Sequence, residues 1–192
     1  MRKNISLGEQ DLIVDLGCGP GNISEKLARK WPNTEVVGID GSKEMILRAE
    51  YNKSISTNQK KLKNLRYICS DIKDIKSKNF LLKKKISLLV SNSLIHHIPN
   101  LEDFFNSIRS LSSNNTVNFH KDLKRPLDVK SALKLKAKCS TEYNEILTND
   151  YYASLRASYT YKELKNFTLE NDLTSLDVFE EGENYLIVYG NV

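Results

Sequence analysis

The run Leu12-Ile13-Val14-Asp15-Leu16-Gly17-Cys18-Gly19-Pro20-Gly21 narrows the folds open to this chain more than any other segment. A short apolar, β-branched run that ends in glycines is the pattern of a buried parallel strand entering a turn. Past the glycines, Asn22 followed by Glu25 marks a helix start, and Ile23, Leu27 and Trp31 recur at helical spacing until Pro32 stops them. Glu35-Val36-Val37-Gly38-Ile39-Asp40 reads as a second strand. Ser42 can cap the next helix, whose apolar face is Met45, Ile46 and Ala49. These elements make a β-α-β unit.

The alternation continues. Leu65 to Cys69 reads as a third strand, Ile86 to Val90 as a fourth, Leu101 to Leu111 as an amphipathic helix and Thr116 to His120 as a fifth strand. Between the second helix and the third strand, Asn52 to Asn64 is polar and lysine-rich, which suits a helix end and an exposed loop. Asp128 to Asn149 reads as mostly helical, and Thr160 with Glu163 forms a capping box for a last helix. Leu176 to Phe179 and Tyr185 to Tyr189 are two strands joined by a hairpin loop. The expected architecture is α/β, a mostly parallel sheet with one antiparallel strand at or near its edge and helices on both faces. With 192 residues and no internal repeat, residues 1–192 are expected to form a single domain.

Several function classes drop out on composition. The longest apolar runs are strand-sized, far short of the roughly 20 residues of a membrane helix. Met1 to Ile5 has a positive start with no apolar stretch behind it, so a cytoplasmic protein is expected, with no membrane partner. Cys18, Cys69 and Cys139 show no Cys-x-x-Cys spacing and no histidine cluster nearby, which points to reduced thiols and no metal. The net charge of +5 is spread along the chain in lysines such as Lys53, Lys60, Lys61, Lys83 and Lys85. Spread charge leaves nucleic acid an admissible but unfavoured partner.

In an open α/β sheet a ligand lies beyond the carboxyl ends of the strands. Polar residues stand at four of those ends here. Asp15 sits two residues before Gly17, where a carboxylate is ill matched to a pyrophosphate and well matched to a cation. S-adenosylmethionine carries both a sulfonium and an ammonium. The glycines are spaced Gly-x-Gly-x-Gly, which departs from the dinucleotide pattern Gly-x-Gly-x-x-Gly. Asp40, ending strand two, stands where an acid accepts from both ribose hydroxyls. Ser70-Asp71-Ile72 follows strand three, and Ser91-Asn92-Ser93-Leu94-Ile95-His96-His97 follows strand four.

With these motifs in place the chain resembles the class I S-adenosylmethionine-dependent methyltransferases over nearly its whole length, in particular the small-molecule and uncharacterised group with a Leu-His-His-like segment after strand four. The resemblance implies a Rossmann-like seven-stranded sheet of order 3-2-1-4-5-7-6 with strand seven antiparallel. It implies S-adenosylmethionine as cofactor, S-adenosylhomocysteine as product, and a small-molecule acceptor. By the same resemblance Asp15, Gly17 and Gly19 meet the methionine portion and Asp40 the ribose, with Cys18, Gly41 and Ser93 also expected at the cofactor. Met45 and Ile72 flank the adenine, Asp71 takes its amino group, and Asn92 meets the ammonium. His97 and His96 are the catalytic candidates. The segment 122–159 is expected to cover the substrate side, with Asp122, Arg125, Tyr152 and Tyr159 as substrate-binding candidates. Family members usually carry N-terminal helices over the cofactor, whereas about ten residues precede strand one here. Three other readings stay open: a non-catalytic cofactor-binding partner subunit, an RNA methyltransferase and an NAD-dependent oxidoreductase.

Overall fold

Strand β1 (Asp11–Leu16) is buried on both faces and lies between two parallel neighbours, β2 (Glu35–Asp40) and β4 (Lys85–Asn92). Its continuous apolar run therefore has the burial such runs require. The computed structural model describes residues 6–55, 62–77 and 84–192. Beyond β2 lies β3 (Leu65–Cys69), and beyond β4 lies β5 (Val117–Leu123), both parallel to their neighbours. The hairpin β6 (Leu176–Glu181) and β7 (Tyr185–Gly190) completes the order β3-β2-β1-β4-β5-β7-β6, and β7 runs antiparallel to both of its neighbours. This is the order and the polarity that the resemblance implied.

Alternation along the strands divides the core in two. Leu12, Val14 and Leu16 of β1, with Val37 and Ile39 of β2, face the side covered by α3 (Leu101–Leu111) and α6 (Tyr161–Glu170). Ile13 and Val36 face the other side, with Ala28 of α1 (Asn22–Lys30) and Ala49 of α2 (Lys43–Ile55). Side chains that alternate across a pleated strand make both cores continuous.

Three boundaries differ from the sequence reading. Helix α1 is capped by Gly21 with no side-chain cap, so Asn22 is its first helical residue. Gly21 has φ +89°, and the space a Cβ would need there is filled by the Tyr67 hydroxyl and Ala49. Only glycine meets both demands. Strand β5 runs three residues past His120, because Lys121 to Leu123 pair with Tyr185 to Ile187 of β7. The helical stretch after Asp128 is two helices, α4 (Val129–Cys139) and α5 (Glu145–Ala157), with the Asn144 side chain capping the second through the Leu147 N–H at 3.0 Å. The capping box at Thr160 and Glu163 forms as read. Of the lysine-rich stretch read as a loop, 56–61 lie outside the described residues, and α2 extends to Ile55.

β5 also buries polar groups. His120 is fully buried, its Nδ1 2.9 Å from Ser91 Oγ and its Nε2 3.4 Å from Asn118 Oδ1, with the Phe104 ring edge-on at 5.1 Å. Burial pushes its pKa down from 6.5 to about 3. The native state thus resists a proton that the unfolded chain accepts. Stability from this group is full above pH 6.5 and is lost as pH falls toward 3, at up to about 1.4 kcal/mol per pH unit. His120→Gln should flatten that acid limb, as read from urea midpoints at about pH 7 and pH 5. An unchanged dependence on pH would assign the limb to other groups.

Candidate active site

The carboxyl ends of β1 to β4 converge on two adjoining clefts, of about 220 and 510 Å³. Gly17, Asp40, Leu94 and His97 line both, so the two form one continuous depression at the sheet's switch point.

The turn after β1 is set by positive φ at Gly17 (+64°) and Gly19 (+52°). A Cβ on Gly17 would stand 2.6 Å from Leu94 Cδ1, so the residue is glycine for space as well as for conformation. Gly19 has open space where its Cβ would be, and its N–H donates to Asp40 Oδ2 at 2.9 Å. The other carboxylate oxygen of Asp40 accepts the Ser42 N–H at 2.8 Å. One side chain thus ties the glycine turn to the start of α2, and each oxygen keeps a further lone pair for a ligand hydroxyl. The Cys18 N–H donates to the Ile39 carbonyl at 3.0 Å, which fastens the same turn to β2.

Asp15 is 1% exposed and accepts a hydrogen bond from Ser24 Oγ of α1 at 2.6 Å. Desolvation raises its pKa from 3.8 to about 7; the Ser24 hydrogen bonds oppose this and the negative charge of Asp40 adds to it. Burial, joined by the charges of Asp15 and Asp40, pushes the Cys18 thiol well above its ordinary range, so it remains protonated. Asp71, after β3, is exposed, and its Oδ1 accepts the Lys73 N–H at 2.9 Å.

At the end of β4 the chain turns through Ser93, whose φ of +57° is in the left-handed region seldom adopted by a residue with a Cβ. The Ser93 N–H is bound by the Lys121 carbonyl of β5 at 2.9 Å, which holds the turn. A 3₁₀ turn, Ile95–His97, follows. His97 is exposed to both clefts, while His96 is buried with its Nδ1 2.5 Å from Asp122 Oδ1. Burial is the main cause that lowers the His97 pKa, and His96 adds to it.

The larger cleft brings together Asp15, Gly17, Cys18, Gly19 and Asp40 with Met45, Asn92, Ser93 and His97. The smaller adds Gly41, Asp71 and Ile72. Every residue expected at the cofactor is therefore at this depression, and so is one of the two histidines. The substrate-side candidates stand elsewhere. Asp122 is 3% exposed and inside the fold, not on a pocket wall. Arg125 pairs with Glu163, and Tyr159 Oη donates to the Ile98 carbonyl at 3.2 Å. Tyr152 lies on α5 with Lys136 and Arg156 against its ring. None of these three lines either cleft.

Sequence reasoning missed Leu94, which fills the space Gly17 leaves, and Ser24, which holds Asp15. It also missed the pairing of His96 with Asp122, 26 residues apart. Ser24 was within reach of the pattern, being the one small polar residue on the buried face of α1.

The family model described as a methyltransferase domain matches residues 8–168. The chain belongs to that methyltransferase-domain family. Relatives similar to this methyltransferase domain include the trans-aconitate 2-methyltransferase of Mycobacterium tuberculosis (strain ATCC 25177 / H37Ra), 32% identical over 91 residues, 47% of this chain and 29% of that protein. The matched stretches amount to between 14% and 38% of the curated relatives' own lengths. Among solved structures, the plantazolicin methyltransferase BpumL in complex with SAH superposes with a TM-score of 0.68 at 19% identity, covering 94% of this chain and 76% of that one. A putative S-adenosylmethionine-dependent methyltransferase from Methanococcus maripaludis gives 0.68 at 16% identity, over 100% of this chain and 80% of that one. At such identities these two establish a shared fold. Among the described residues no helix is long and apolar enough to cross a membrane.

Proposed function

We propose that this methyltransferase domain transfers the methyl group of S-adenosylmethionine to a small-molecule acceptor, releasing S-adenosylhomocysteine, with no metal involved. The observation that carries the reading is the ring of acids at successive strand ends: Asp15, Asp40 and Asp71 border one continuous depression. Such a ring suits a ligand with an ammonium, two ribose hydroxyls and an exocyclic amine, every one a donor. It suits a dinucleotide poorly, because among the described residues no lysine or arginine lines either cleft to meet a pyrophosphate. The cradle also fits in shape. Gly19 has open space where a side chain would be, and Met45 in the larger cleft and Ile72 in the smaller offer apolar surface to a base.

The methyl group itself needs no protein group to carry it. Methyl transfer from a sulfonium is a direct displacement, so the residues chiefly align the acceptor, and alignment of this kind contributes about 7 to 11 kcal/mol. Where the acceptor must shed a proton, the His97 imidazole is the base at the cleft, and its lowered pKa leaves it neutral at pH 7. The acceptor's freed electron pair then forms the new bond to carbon while the carbon–sulfur pair stays with sulfur. The small-molecule class of acceptor is supported by the trans-aconitate relatives.

The test is calorimetry of the purified protein with S-adenosylhomocysteine and, separately, NAD, followed by product analysis with S-adenosylmethionine across metabolite and RNA pools. Binding of the first ligand alone, with turnover of a metabolite, is the expected result. Binding of NAD instead would overturn the reading, and donor binding without turnover in any pool would make the chain a partner subunit.

A further inference from the structure

Asp122 and His96 form the best-made polar cluster in this protein outside the strand-end acids. Asp122 is buried near the end of β5, and its carboxylate collects three N–H donors from two segments. Oδ2 accepts the Ile95 N–H at 2.5 Å, while Oδ1 accepts His96 Nδ1 at 2.5 Å and the Leu123 N–H at 2.6 Å. A carboxylate is an acceptor here, so Nδ1 is the His96 nitrogen that carries the proton. Two of the three bonds go to the 3₁₀ turn that follows β4. The next residue of that turn is His97, whose ring centroid lies 4.1 Å from that of His96 at an interplanar angle of 39°.

We propose that the Asp122–His96 pair is a positioning device for His97, fixing the turn and the face of the His97 ring so that its imidazole is presented to an acceptor in the cleft. This rests on the methyltransferase reading for its purpose, though not for its geometry. Asp122 is then a positioning residue, and its place inside the fold is the reason it does not touch substrate. An isolated 3₁₀ turn of three residues has little to hold it, since its internal hydrogen bonds are few and poorly aligned. The carboxylate supplies that hold from a neighbouring strand, and the His96 ring is the wall against which His97 rests.

Among the described residues, three titratable groups act on His97. His96 is beside it on the turn, Asp122 stands behind on β5, and Asp40 lies at the end of β2. Asp15, Cys18 and Asp71 line the clefts that it borders. α5 also packs on the turn, and its titratable groups, Glu145, Asp150, Tyr151, Tyr152 and Arg156, are not among the charges that shift His97. Asp122 and His96 act on His97 with opposite sign, the carboxylate raising its pKa and the neighbouring imidazole lowering it.

The sequence contains three histidines, so ring-nitrogen NMR of the full chain can be assigned by single substitutions. The wild type should show a far-downfield, slowly exchanging Nδ1 proton on His96 that survives His97→Asn and is lost in Asp122→Asn. The titration midpoint of His97 should fall in Asp122→Asn and rise in His96→Gln. In His96→Gln an amide N–H remains available to Asp122, which keeps the fold testable where Asp122→Asn fails to fold. A loss of fold alone does not shift the two midpoints in opposite directions. A His97 signal and midpoint unchanged in a folded Asp122→Asn or His96→Gln would overturn the proposal, as would survival of the downfield proton in Asp122→Asn. Titration with S-adenosylhomocysteine separates this from the functional reading. Should the wild type bind none while the NMR shifts appear, the methyltransferase reading fails and the positioning stands.

Discussion

Asp40→Ala is expected to weaken S-adenosylhomocysteine binding by about 10² to 10⁴, measured by calorimetry. The carboxylate has two separate duties, and alanine abolishes both. Toward the ligand it offers two charged acceptors to the ribose hydroxyls, and hydrogen bonds to a charged group contribute about 1.5 to 3 kcal/mol each. Toward the protein it holds the Gly19 and Ser42 N–H groups, at 2.9 and 2.8 Å, so their loss also frees the turn that frames the cleft. Asp40→Asn separates the duties. Its amide keeps one acceptor and turns an N–H₂ toward a backbone N–H, so binding should fall nearly as far while the thermal midpoint drops less than in the alanine variant. Affinity left within a few-fold of wild type in Asp40→Ala would remove the ribose from this position.

The residues that were legible in the sequence are those whose chemistry is local. Asp15, Gly17, Gly19 and Asp40 declare themselves because strand, turn and strand end lie within 30 positions, and the β-α-β rule places their ends side by side. The sheet order was legible only through resemblance, since no periodicity says that β5 pairs with β7 in preference to β6. The Asn22 cap was misread because a left-handed glycine can begin a helix as well as a side chain can, and the Tyr67 hydroxyl that occupies the space a Cβ on Gly21 would need is 46 positions away. Asp122 was read as a pocket acid for a related reason. In Asp122-Leu123-Lys124-Arg125-Pro126 the cations that follow make the segment look exposed, whereas β5 turns Asn118, His120 and Asp122 inward in alternation, which brings this carboxylate to His96. A carboxylate surrounded by lysine and arginine in sequence is ordinarily a surface group, and only the third dimension shows otherwise.

A second large effect belongs to Asp15, and its sign separates stability from function. The native carboxyl has its pKa raised to about 7 against 3.8 in the unfolded chain, so the native state holds a proton that the unfolded state has released. Its contribution is fully present below pH 3.8 and is lost as pH rises to about 7, a difference of the order of 4 kcal/mol by linkage. Asp15→Asn keeps an oxygen for the Ser24 hydroxyl and has no charge to bury. The unliganded variant should therefore be more stable than wild type above pH 7, with urea midpoints converging below about pH 4. The His120 effect runs the opposite way with pH, so the comparison must be made between variant and wild type at each pH. Binding should show the reverse preference. A ligand ammonium near Asp15 favours its ionised form, so at about pH 6 the wild type should release a proton on binding S-adenosylhomocysteine, detected as a dependence of the heat on buffer ionisation enthalpy. Asp15→Asn should release none and bind more weakly. A variant that gains no stability at alkaline pH would mean that Asp15 is hydrated in the free protein. A wild type that binds without proton release would mean that no cation comes to rest beside it.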